Sequence, residues 1–190
     1  MHDAASVQNG HGPAESVATF DNMLTTDQKG NIAELAIAAA AVELGIDVYT
    51  QVGEGGRFDM IFGIGHRLLR GQCKSAPLHG ETIVVRCYSH RRNRNGLLLR
   101  KYSPGEVDVF AAYCPETRTC YLLPPELCIG RREVRLRIGP CKNNQKLRVN
   151  WARDYEFAAT LGALGAVAQL GERLSGRQKA TGSSPVGSTL

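Results

Sequence analysis

The sequence predicts an α/β fold: a mixed, mainly hairpin-connected β-sheet flanked by helices. Three observations carry that prediction. An Ala-rich segment, 26–45, has helical periodicity. Seven short runs rich in β-branched and aromatic residues follow it. Most of those runs are separated by tight turns and not by further long helices, which argues against a doubly wound dinucleotide-binding sheet. The 190 residues suffice for one domain with a sizeable core, and 43% hydrophobic against 22% charged residues excludes wholesale disorder.

In chain order, 1–23 is rich in Ala, Ser, Gly, His and Asn without periodicity and reads as a flexible arm. It has neither a basic leader nor an apolar stretch, so no secretory signal is expected. The folded domain is expected over 24–160. Thr26 suits a helix N-cap, Asp27 the first turn and Gly45 the stop, and Ile32, Leu35, Ala36, Ala39 and Val42 recur at helical spacing between them. Strands are predicted at 47–52, 58–64, 67–75 and 81–88, then at 107–113 and 119–123 around the turn-like Pro115-Glu-Thr-Arg118. The segment 133–138 alternates apolar and charged residues, as a further or edge strand does. The Arg/Asn stretch His90 to Asn95 has no apolar face and is predicted to be a loop.

The tail, 161–190, stands apart. Val167-Ala-Gln-Leu-Gly-Glu-Arg173 and Gly182-Ser-Ser-Pro185 read like the D-arm and T-arm of a transfer-RNA gene translated as protein. We therefore read the tail as read-through and assign it no chemistry.

No run approaches the roughly 18 apolar residues that span a bilayer, so no membrane association is expected. The six cysteines contain no CxxC and no paired His spacing, which disfavours zinc and favours reduced thiols in a cytoplasmic protein. Charge is uneven: 86–148 carries a balance of +9, and the remainder −4. A basic segment of that size fits either a solvated face or a polyanion partner.

Chemistry concentrates at Asp59 and Gln72-Cys73-Lys74. Gly65-His66 suits a two-residue hairpin turn. If Ile64 pairs with Arg67, Asp59 lies opposite Gln72, with Lys74 on the same face and Cys73 on the other. The same register sets Arg57 opposite Lys74, a like-charge pair that needs splayed strands or an intervening anion. Asp59, the Gln72 amide oxygen and the Cys73 carbonyl would offer hard oxygen ligands to Mg²⁺ or Mn²⁺, with Lys74 beside them to orient or deprotonate a water. Glu34, in the helix, has no Lys or Arg three or four residues away to account for it and is a candidate fourth ligand.

The order Gly30-Asn-Ile-Ala-Glu34, Arg57-Phe-Asp59 and Arg70-Gly-Gln-Cys-Lys74-Ser75 resembles the PD-(D/E)xK nuclease superfamily, which has a restriction-endonuclease-like core. Within it the chain looks most similar to small bacterial endonucleases related to a group I intron homing endonuclease, a group known for a Gln-x-Lys variant. Gln72 stands where the wider pattern has an acidic residue. The resemblance implies a Mg²⁺-dependent DNA endonuclease with Glu34, Asp59, Gln72 and Lys74 as catalytic residues and Glu34, Asp59, Gln72 and Cys73 as metal ligands. A non-catalytic nucleic-acid-binding module of the same fold is the alternative.

Given such a site, Arg86, Arg91, Arg92, Arg94, Arg100 and Lys101 are expected to track the backbone of double-stranded DNA, with Tyr88 or Tyr102 stacking or hydrogen-bonding. A second basic cluster is Arg131, Arg132, Arg135, Arg137, Lys142, Lys146 and Arg148. Asp108, in an apolar strand, reads as a structural partner for an arginine. One site per chain implies a homodimer or higher homo-oligomer for double-strand cutting.

Overall fold

The first helix starts one residue earlier than its sequence suggests. In the computed structural model, which describes residues 23–53, 55–94, 96–140 and 148–160, α1 runs Thr26–Glu43 with Thr25 as N-cap. The Thr25 hydroxyl accepts from the Gln28 N–H (3.2 Å), and the Gln28 side chain accepts from the Thr25 N–H (2.8 Å). This reciprocal capping box satisfies two amides that a helix start leaves unpaired. At the other end Gly45 takes a φ of 74°, a left-handed stop that glycine adopts without steric cost.

The buried face of α1 is not the stripe that its large apolar residues mark. Ala33, Ile37 and Ala41 are buried, Ile37 at 0% exposure, whereas Leu35 is 71% exposed and Ile32, Ala39 and Val42 also face solvent. The reason is close packing: small Ala33 and Ala41 let the helix backbone approach the sheet around Ile37, which bulky side chains at those positions would prevent.

Among the described residues ten strands follow: β1 Asp47–Thr50, β2 Met60–Ile64, β3 Arg67–Ser75, β4 Leu78–His79, β5 Thr82–Arg86, β6 Tyr88–Asn93, β7 Gly96–Lys101, β8 Val109–Cys114, β9 Thr119–Leu123 and β10 Glu133–Arg137. A single helical turn, α2 (Pro125–Cys128), and a 3₁₀ turn, Ala152–Tyr155, complete the described elements. The main sheet has the order β1-β2-β3-β8-β9, antiparallel throughout except for the parallel β3–β8 pair. That parallel pair requires a long crossover, and the residues between its strands build β4, β5 and the two-stranded ribbon β6-β7; β10, from after β9, joins β5 and β4 in the sheet β10-β5-β4.

One face of the main sheet packs under α1, with Met60, Phe62, Leu69, Cys73, Ala111 and Leu122 around Ile37 and Ala41. The other, with Phe110, Ala112, Tyr121 and Leu123, meets Ile83, Val85, Val134 and Leu136 of the smaller sheet. This is the α/β layered arrangement expected, a mixed sheet with a flanking helix.

Three further expectations are corrected. The run 81–88 is two strands in two sheets, divided at Cys87, whose N–H donates to the Arg132 carbonyl (2.9 Å). His90 to Asn93 are not a loop: residues 88–93 pair antiparallel with 96–101, closing at Asn93↔Gly96. A backbone ladder needs no apolar face, and Gly96, at a φ of 115°, permits the tight return. The strand expected from Phe58 begins at Met60. The arm 1–22, residues 141–147 and the tail 161–190 lie outside the described residues.

The helix face is directly testable. Ile37→Ala is expected to lower the free energy of unfolding by about 2–5 kcal/mol. Leu35→Ala, on the exposed stripe, should stay within about 0.5 kcal/mol. Urea titration of both variants distinguishes the observed face from the one its large residues mark.

Candidate active site

The β2–β3 hairpin has the register that its turn implies: Ile64 pairs with Arg67 and Met60 with Gly71, and Gly65 takes a φ of 58° in the turn. The pairing continues past the end of β2, since the Asp59 N–H donates to the Gly71 carbonyl (2.9 Å). Gly71 is required there, because a Cβ would run into the Phe62 ring. Asp59 therefore sits opposite Gln72. Its Oδ2 accepts from the Cys73 N–H (2.7 Å) and from the Gln72 side-chain amide, and that amide also donates to the Cys73 carbonyl (3.3 Å). Gln72 is 7% exposed.

Burial sets the electrostatics. It pushes the Asp59 carboxyl above the ordinary carboxylate range, against the opposing pull of the Cys73 N–H, Lys74 and Gln72. Glu34 is raised too, first by burial and then by repulsion from Asp59, with Lys74 opposing. Lys74 is lowered, chiefly by burial, and the nearby Arg57 charge adds to that lowering while Asp59 resists it. Glu34, Asp59 and Lys74 are thus close enough to influence one another's charge, with Asp59 and Lys74 the more buried. A cleft of about 720 Å³ opens there, lined by Gly30, Asn31 and Glu34 of α1, by residues 50–53, 55 and 56, and by Asp59, Gln72, Ser89 and Tyr102.

Of the two reasons anticipated for the coexistence of Arg57 and Lys74, the parting of the strands is found, whereas the anion present binds Arg57 and does not bridge to Lys74. Strand pairing stops short of Arg57, and Glu106 supplies the anion: Arg57 Nε and Nη2 donate to its two carboxylate oxygens, each at 2.8 Å. Arg57 also donates to the Lys101 carbonyl (2.6 Å) and to Ser89 Oγ (3.3 Å), and its guanidinium lies 4.3 Å from the centre of the Tyr102 ring. The guanidinium holds Glu106 down at about 2, helped by the Ser103 N–H. Arg57, Glu106 and Tyr102 are thus site-building residues that sequence reasoning did not assign. The like-charge conflict between Arg57 and Lys74 called for splayed strands or an anion, and did not point to Glu106 itself.

The other expectations divide. Asp108 does pair with an arginine, accepting from Arg70 Nε and Nη2 (2.9 Å each), but the pair is partly exposed. Tyr102 is 4% exposed and so is withdrawn from any base-stacking role. Arg91 and Arg92 lie on β6, Arg94 at the ribbon turn, and Arg100 and Lys101 on β7, whereas Arg86 ends β5. The second basic cluster is partly spoken for: Arg135 pairs with Glu133 (2.7 Å), and Arg137 donates to the carbonyls of Gly139 (2.9 Å) and Pro140 (2.7 Å). Lys142 and Lys146 lie outside the described residues.

The potential ligands are all oxygen donors: the Glu34 and Asp59 carboxylates, the Gln72 amide and the Cys73 carbonyl. No group of three His, Cys, Asp or Glu side chains converges on a metal-sized space among the described residues. The set fits a hard cation that retains several waters, not zinc. In the structure Gln72 turns its amide nitrogen, not its oxygen, toward Asp59 Oδ2 and the Cys73 carbonyl.

A mixed sheet with an acidic residue on its helix and Asp and Gln-x-Lys on adjacent strands is the architecture of a restriction-endonuclease-like protein. Residues 24–158 match the PD-(D/E)XK endonuclease family, and the chain belongs to it. Its fold is similar to the structure of a bacterial homing endonuclease, I-Ssp6803I, at 24% sequence identity and a TM-score of 0.59, over 79% of this chain and 97% of that one. No curated protein sequence matches significantly. No helix among the described residues is long and apolar enough to cross a membrane.

The Arg57–Glu106 pair makes a pH prediction. Because Glu106 is depressed in the folded state, its stabilisation is full above the ordinary glutamate value of 4.5 and is lost as pH falls toward about 2. The unfolding midpoint of wild type is expected to exceed that of Glu106→Gln near pH 6, and the two curves to converge across that acid window. Parallel curves down to pH 2 would contradict the pairing.

Proposed function

We propose that the protein is a metal-dependent endonuclease that hydrolyses phosphodiester bonds in double-stranded DNA. The observation that carries this reading is the Asp59 carboxylate, fixed by the Cys73 N–H and Gln72 at the floor of a cleft into whose electrostatics Glu34 and Lys74 also enter. When bound, Mg²⁺ or Mn²⁺ would supply charge to the scissile phosphate and acidify a water. Glu34, Asp59, Gln72 and the Cys73 carbonyl would hold it.

The protein's own groups do the rest. Asp59 is pre-oriented by its backbone donor, so its carboxylate loses little freedom on taking a ligand. Burial weakens the hold of Lys74 on its proton, which suits a group that accepts a proton from water or steers that water. The cleft walls restrict water and strengthen each electrostatic contact.

Basic residues of the β6–β7 ribbon would track the phosphates, since a two-stranded ribbon is narrow enough to enter a major groove. Arg57 anchors the ribbon base at Ser89 and Lys101, beside the site. Two copies would deliver one cut to each strand. The five described cysteines, all free and buried, fit a cytoplasmic setting.

Incubating supercoiled DNA with the protein in Mg²⁺ is expected to nick or linearise it, and EDTA to abolish cutting. Lys74→Ala should lower the cutting rate about 10²- to 10⁴-fold with DNA affinity retained. Tight, salt-sensitive binding without cutting in either metal would instead establish the non-catalytic module, the reading that Gln72 in place of an acidic residue favours.

For the ribbon, replacing Arg91, Arg92 and Arg94 together by Ala should flatten the slope of log affinity against log salt by up to about 2.7, roughly 0.9 per phosphate contact. An unchanged slope would place the DNA elsewhere.

A further inference from the structure

We propose that Tyr102 is a positioning residue for Lys74, clamping the lysine at the cleft and linking it mechanically to the base of the ribbon. The inference rests on the endonuclease reading of the site. Lys74 Nζ donates to the Tyr102 hydroxyl (3.2 Å) and lies 5.3 Å from the centre of its ring. A lysine has a flexible four-carbon stem and three donors, so one well-placed acceptor selects among many rotamers.

Tyr102 is suited to be that acceptor because it is itself immobilised. It is 4% exposed, its ring meets Phe110 edge to face at 5.0 Å, and the Arg57 guanidinium covers it at 4.3 Å. Burial pushes its phenol up to about 12, so the hydroxyl stays neutral and does not form a competing ion pair with the lysine.

The same residue ends the ribbon. Tyr102 directly follows Lys101, the last residue of β7, and the Ser89 hydroxyl of β6 is a further hydrogen-bonding neighbour. Arg57 donates to both Ser89 and the Lys101 carbonyl while lying over the Tyr102 ring, and Glu106 fixes Arg57. A displacement of the ribbon base by bound DNA is therefore transmitted through Tyr102 to the amine beside Asp59. The packing that builds the core thereby also sets where that amine points.

The test compares Tyr102→Phe, which keeps the ring and its contacts with Phe110 and Arg57, with Tyr102→Leu, which keeps neither. Under single-turnover conditions Tyr102→Phe is expected to cut about 10- to 100-fold more slowly, with DNA affinity within twofold of wild type and an unchanged unfolding midpoint. Tyr102→Leu should be slower still. The second readout is the side-chain ¹H–¹⁵N signal of the Lys74 ammonium, assigned by its disappearance in Lys74→Met. Sheltered from hydrogen exchange in wild type, it should exchange rapidly in Tyr102→Phe. Cutting at the wild-type rate, a rate loss matched by lost DNA binding, or a Lys74 signal indifferent to Tyr102→Phe would each overturn the inference. A wild-type protein that fails to cut would overturn the endonuclease reading instead, while the Lys74 signal would still report on its contact with Tyr102.

Discussion

The Asp59 carboxylate accepting the Cys73 N–H is the contact on which the site depends. It forms because β2 and β3 pair in one register only, closed by Gly65-His66 and sealed by the Phe62 ring over Gly71. A slip of one residue would turn Asp59 away from Gln72 and Lys74 and send the apolar residues of both strands to the wrong faces. The core thereby guards the chemistry: Met60, Phe62 and Leu69 under α1 penalise any register that would dismantle the acidic patch.

Around that contact the structure manages charges in a partly buried place. Burial raises Asp59 and Glu34, the latter also through repulsion from Asp59, and burial lowers Lys74. Buried charges are costly in a purely structural role and useful where a cation and a phosphate are to be received. Arg57 is treated in the opposite way. Glu106, Ser89 and the Lys101 carbonyl satisfy its donors, so it serves as a fastener between the ribbon and the site.

The hairpin register was legible because a two-residue turn containing glycine leaves few alternatives, and β-strand alternation then assigns faces without further information. The conflict between Arg57 and Lys74 was legible for the same reason, and it called for splayed strands or an anion without naming Glu106, 49 residues from Arg57 in sequence. The ribbon was not legible. His90 to Asn93 has no apolar pattern because its strands are held by their own ladder, and periodicity reports burial, not hydrogen bonding. The working face of α1 was hidden differently: alanines cover the contact, and the large side chains that dominate a hydrophobicity pattern point outward.

By itself, then, the sequence determined the first helix and the β2–β3 register that opposes Asp59 to Gln72, which follow from local turn chemistry and residue spacing, and its motif order separately carried the resemblance to the PD-(D/E)xK nucleases. Only the tertiary structure decided which helix face meets the sheet and that Arg57 and Glu106 join. It also decided that Tyr102 turns inward to Lys74 when an exposed role on DNA was equally compatible with its place in the chain. These outcomes depend on packing and desolvation between segments far apart in sequence, and no short-range pattern encodes which distant partner will be there to share the burial.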